Sequence, residues 1–154
     1  MPLIVNPFAE PNPQFCQDFV PHILTSSSLA IAEHTRMNNP RVTAILPCNS
    51  MDAAEDFFER LGFKVHSFAD NYRILRDHCG GEVHLNQAVP GWVVAERNPF
   101  GLYIYRQDVA QIATEFEGEI LEKFGPEKKE WGMYEFSLNG PDGILVRVGW
   151  PYEQ

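Results

Sequence analysis

Between Asp77 and His84 the chain gathers five side chains able to hold a metal or move a proton: Asp77, His78, Cys79, Glu82 and His84. Residues two apart on a strand share a face, so Glu82 and His84 point the same way, while Asp77 to Cys79 fall in the turn before them. Metal sites of these residue types show firmer spacing, so the cluster reads as the polar tip of a hairpin, with His84 as a hydrogen-bonding or stacking group. Elsewhere there is no G-x-S-x-G elbow, phosphate-binding loop or dinucleotide glycine pattern. Two tryptophans in connecting segments, Trp92 and Trp131, offer a different chemistry. Indole is the best cation–π partner, and Gly132 after Trp131 lets a ligand come close to the backbone. For Trp92, ordinary packing is an equal alternative.

The elements that position these residues follow a repeated order. Val42–Pro47 predicts a strand, with Asn49 or Ser50 as helix N-cap. Ala54, Phe57, Phe58 and Leu61 then recur at one-face helical spacing, and Gly62 supplies the stop. Strands are predicted at Phe63–Phe68, Tyr72–Arg76 and Glu82–Gln87. Residues 88–100 form a connector, broken by Pro90-Gly91 and Asn98-Pro99. The pattern then repeats. A strand at Gly101–Tyr105 leads to Asp108 as N-cap candidate and a helical face of Val109, Ile112, Ala113 and Phe116, ended by Gly118. Strands at Glu119–Phe124, Met133–Leu138 and Ile144–Gly149 follow, the last two joined by the Pro141-Asp142-Gly143 turn. Two βαβββ modules, 41–88 and 101–150, therefore make up a domain over 41–150.

Residues 1–40 differ in kind. Six of the twelve prolines lie here, and closely spaced prolines block helix and remove donors. The segment is expected to be a flexible extension, with Met37 as an alternative start and docking on the domain or a partner chain as the competing reading. It lacks the basic start and apolar core of a secretory signal. The three scattered cysteines, Cys16, Cys48 and Cys79, are odd in number and predict reduced thiols in a cytoplasmic protein. A formal charge of −9 disfavours nucleic acid and anionic membrane as partners and favours cationic ligands, although solubility alone would account for it.

From Trp131 to Arg147 the sequence reads W-G-x-x-E-F-x-L-x-x-P-D-G-x-L-x-R. This stretch resembles the closing hairpin of the bleomycin-resistance proteins, within the glyoxalase / bleomycin-resistance / extradiol-dioxygenase (vicinal oxygen chelate) superfamily. The resemblance spans Arg41 to Trp150. It implies an α+β fold in which two βαβββ modules form a curled mixed sheet around a cavity, with helices on the outer face. It also implies a homodimer, and places the superfamily's four metal-ligand positions on Thr43, Glu82, Leu102 and Arg147. Only Glu82 keeps a ligand-type side chain, and a guanidinium at Arg147 opposes a cation, so no metal and no cofactor are expected. The same inward setting predicts a pocket lined by Thr43, Ile45, Glu82, His84, Asn86, Leu102, Ile104 and Arg147, with Tyr103 and Tyr105 turned to the core. Trp131 matches the family's drug-stacking tryptophan, and Trp92 and Phe100 form a further wall. The implied function is non-catalytic sequestration of a bleomycin-type antibiotic or similar planar cation. Two alternatives are a metal-dependent lyase, isomerase or dioxygenase of the same superfamily, and a module whose pocket is filled by its own side chains.

Overall fold

The computed structural model describes residues 42–152, and the expectations for residues 1–40 lie outside them. The chain order is β1 (Ala44–Cys48), α1 (Met51–Arg60), β2 (Lys64–Ala69), β3 (Tyr72–Arg76), β4 (Glu82–Gln87), β5 (Gly101–Tyr105), α2 (Val109–Glu115), β6 (Glu127–Lys128), β7 (Met133–Asn139) and β8 (Leu145–Pro151). These strands form two four-stranded mixed sheets of identical plan, β1-β4-β3-β2 and β5-β8-β7-β6. In each, the first strand runs parallel to the last and the remaining pairings are antiparallel. The α+β class and the paired modules are as expected, and the sheets do not close on each other.

Local chemistry accounts for most of these boundaries. Ser50 caps α1 by accepting from the Ala53 amide at 3.3 Å, and Gly62 ends it at φ +87°, a region that costs glycine nothing. Met51, Ala54 and Phe58 are the buried stripe of α1; Val109, Ile112 and Ala113 are that of α2. The helical faces meet through Phe57 and Phe116, whose rings lie 5.5 Å apart. One apolar core thus serves both modules, with Leu75, Val83, Leu85, Phe136, Val146 and Val148 supplied by the sheets. Among the described residues no helix is long and apolar enough to cross a membrane.

Two expectations are corrected and one is met only in position. Asp108 stands at the N-cap of α2 as expected, but its side chain makes no capping hydrogen bond and instead accepts from Nε and Nη2 of Arg106 at 2.9 and 2.7 Å. Glu119–Phe124 is not a strand. Only Ile120 bridges β7, because Glu122 folds back to accept from the Ser137 amide and hydroxyl at 2.7 and 2.9 Å. Nor are all thiols reduced: Cys48 is free and buried, but Cys79 is disulfide-bonded. An odd cysteine count excludes a complete framework, not a single bridge. Burial and nearby Asp142 push the Cys48 thiol up to about 11, so it stays protonated and unreactive at neutral pH.

Arg106 joins the modules. Its side chain is 4% exposed, donates to the Leu61 carbonyl at 3.0 Å and faces Asp77, itself 3% exposed, at 3.8 Å. Removing the cation strands a buried carboxylate and leaves the end of α1 short of a donor. Arg106→Ala is therefore expected to cost about 3–5 kcal/mol in urea unfolding. A loss within about 0.5 kcal/mol would show that surface screening, not the buried pair, governs this contact.

Candidate functional site

Each sheet buries one face against the helices and presents the other to the open. Which residues occupy the open face follows from strand register, since neighbours across paired strands share a side. In the first module Ile45 pairs with His84, and His84 and Glu82 pair with Ile74 and Arg76. The expected open-face positions Thr43, Ile45, Glu82, His84 and Asn86 are therefore on one side. In the second module the expectation fails by one residue. Leu102 pairs with Val146 and packs with Ile104 against the core, whereas Tyr103 pairs with Arg147 and Tyr105 with Gly149. Tyr103 and Tyr105, not Leu102 and Ile104, hold the open face. A one-residue slip exchanges every side chain between faces, and G-L-Y-I-Y is apolar on both, so periodicity could not detect it.

On the first open face the polar groups satisfy one another. Glu82 accepts from Arg76 Nε at 2.6 Å, His84 Nε2 at 3.1 Å and Thr43 Oγ1 at 3.3 Å. The other ring nitrogen of His84, Nδ1, lies 2.6 Å from the Tyr72 hydroxyl. With Nε2 carrying the proton toward Glu82, Nδ1 accepts from Tyr72, and carboxylate, imidazole and phenol form one chain. The candidate ligand cluster of the 77–84 hairpin is not assembled. Asp77 turns away to accept from the Cys79 and Gly81 amides at 3.0 and 2.6 Å and to face Arg106. Among the described residues no three His, Cys, Asp or Glu side chains could together hold a metal.

The second open face centres on Glu135, buried to 1% exposure. One of its oxygens accepts from the Tyr103 hydroxyl at 2.6 Å and from Trp131 Nε1 at 3.3 Å. Burial first, and then the Glu135 hydrogen bond and charge, push the Tyr103 phenol well above its ordinary range. Tyr105 lies against Tyr103 with ring centroids 4.8 Å apart, and Trp131, fixed by its own hydrogen bond, remains 62% exposed. Arg147 stands beside Tyr103 across the strand pair, its Nε buried without a hydrogen-bond partner among the described residues. Gly149 makes the arrangement possible, for a Cβ there would sit 2.3 Å from the Tyr103 hydroxyl. Tyr103 and Tyr105, expected in the core, belong to this face instead; the signal in the sequence is Gly149, a small residue inside a strand where another group approaches closely.

The four metal positions implied by the resemblance do not suit a metal. Glu82 is already engaged by Arg76, Thr43 and His84, Leu102 faces the core, and Arg147 brings a fixed positive charge. Trp92 lies in the connector, where it lines a cleft of about 370 Å³ with Phe100, Arg97 and Pro47 of β1.

No family model and no curated protein matches the sequence. Solved structures do. A bleomycin resistance determinant encoded on the transposon Tn5 is 24% identical, covering 75% of this chain and 100% of that one, with a TM-score of 0.62. A bleomycin-binding protein complexed with bleomycin is also 24% identical, over 74% of this chain and 100% of that one, at 0.62. TnmS3, an antibiotic binding protein from Streptomyces sp. CB03234, is 18% identical, over 75% and 99%, at 0.59.

Gly149→Ala should drive Tyr103 off Glu135. An expected destabilisation of about 1–3 kcal/mol would accompany a fall of the Tyr103 phenol toward its ordinary ionisation range in an ultraviolet absorbance titration. Unchanged stability and an unchanged phenol titration would mean that the two rings do not pack over Gly149.

Proposed function

We infer that this chain, which has the fold of the bleomycin-resistance and glyoxalase/dioxygenase proteins, binds a small planar cation and sequesters it without turnover. The observation carrying this reading is Trp131, 62% exposed yet held at its Nε1 edge by buried Glu135. A planar cation laid on the indole gains stacking and cation–π attraction, together about 1–3 kcal/mol, with the Glu135 carboxylate at the Nε1 edge adding negative potential. Arg147 offsets part of that potential and limits how close the charged end of the ligand can come. Thr43, Glu82 and His84 belong to the second wall of the proposed site; Leu102, turned to the core, is withdrawn from it. Exposed Ile45 and Tyr105 on the open faces support a homodimer that covers them and leaves Trp131 to the ligand. Bleomycin is the first ligand to test, because similar structures include a protein complexed with it.

A second reading rests on the Tyr72–His84–Glu82 chain. Carboxylate, imidazole and phenol in hydrogen-bonded series can transfer a proton to or from a bound molecule, which would make the chain an enzyme needing no metal. Recovery of unaltered ligand after prolonged incubation distinguishes sequestration from that reading.

Calorimetry is expected to find bleomycin binding to the wild type and about tenfold weaker binding to Trp131→Ala, with the same far-ultraviolet circular dichroism. Equal affinities would make Trp131 a packing residue. Absence of binding to both would remove the antibiotic as ligand.

A further inference from the structure

The connector from Ala88 to Phe100 is long for a link between two modules, and its one regular element is the short 3₁₀ turn Ala95–Arg97. It is also held in place from both sides. Asn49, before α1, donates to the Val93 carbonyl at 3.1 Å, and Asn98 donates to the Asp142 carbonyl at 2.9 Å. Gly143 in the β7–β8 turn comes so close that a Cβ would meet the Ala95 oxygen at 2.2 Å. The cleft of about 370 Å³ that this segment encloses is thus built before any ligand arrives, and its size suits a small organic molecule.

Its lining specifies the ligand's chemistry. Trp92 and Phe100 are 81% and 60% exposed, a large apolar area to leave in water on a fixed loop. Arg97 lines the same cleft, and it enters none of the ion pairs formed by the described residues. In a chain of net charge −9 an unpaired guanidinium beside two bare aromatic rings is poorly explained by solubility. Asn98, the other polar side chain there, is already used in holding the loop, donating to Asp142 and accepting from the Phe100 amide at 3.2 Å. Glu96 does not line the cleft. Arg97 is left as the group that reads charge, and guanidinium pairs best with carboxylate- or sulfonate-type oxygens.

We propose that the connector cleft is a second binding site, for a small planar aromatic anion held against Trp92 and Phe100 with its acidic group on Arg97. It shares no residue with the Trp131–Glu135 site and selects the opposite charge, so either site can fail without the other.

The test is titration of the full chain with 1-anilinonaphthalene-8-sulfonate and with its uncharged relative N-phenyl-1-naphthylamine, followed by fluorescence. The sulfonate is expected to bind the wild type at this site and to lose about tenfold in affinity with Arg97→Gln, while the uncharged dye changes less than about twofold. Trp92→Ala should weaken both dyes, and Trp131→Ala should leave the sulfonate's affinity as in the wild type. Because Trp92 and Arg97 are exposed, their variants keep the fold, which circular dichroism verifies. Failure of the sulfonate to bind the wild type, equal affinity in Arg97→Gln, or loss on Trp131→Ala in place of Trp92→Ala overturns the proposal.

Discussion

The second open face depends on one buried carboxylate. Glu135 lies on a central strand at 1% exposure, where a charge without donors would be costly. Tyr103 and Trp131 supply the donors, both to the same oxygen. That shared acceptor fixes a phenol and an indole relative to each other and, through Tyr103, orders Tyr105. Gly149 leaves the space in which the phenol reaches across the sheet. An aromatic pair with negative charge at its polar edges is thereby assembled before any ligand arrives, so little ordering is left to be done on binding.

The two modules show how one backbone plan carries different chemistry. Both sheets have the same strand order and both bury one face on a common core. On the first, Arg76, Glu82, His84, Thr43 and Tyr72 saturate one another, and the face is polar and internally bonded. On the second, the polar atoms point inward to Glu135 and the rings point out. The positions that the resemblance assigns to a metal do not suit one, since Glu82 is engaged, Leu102 faces the core and Arg147 carries a fixed positive charge. The fold is shared with antibiotic-binding structures at 24% identity and below, and the open-face side chains, not the fold, carry the functional argument.

Much of the architecture was legible in the sequence because its signals were redundant. Both helices announced themselves by one-face spacing with a glycine stop, and Tyr72–Arg76, Glu82–Gln87 and Gly101–Tyr105 match the predicted strands residue for residue. The site was less legible, for physical reasons. In β5 both faces are apolar, so only pairing with Arg147 and Val146 could decide which one packs inward. The missing strand at 119–124 turned on Glu122 reaching back to Ser137, a long-range hydrogen bond that no local pattern encodes. Position alone identifies Asp108 as the N-cap of α2, but not that Arg106 two residues earlier takes up its carboxylate oxygens.

Neutralising Glu135 without changing its shape tests the account most directly. Glu135→Gln retains an oxygen for Tyr103 and Trp131 but removes the charge beside the two rings. The ratio of bleomycin dissociation constants between this variant and the wild type is the quantity to measure, at fixed low salt. The account predicts a loss of about tenfold in affinity with cooperative unfolding retained, as expected when a cation loses a nearby buried charge. Equal dissociation constants for the two proteins would contradict it, and would show that the carboxylate serves packing alone.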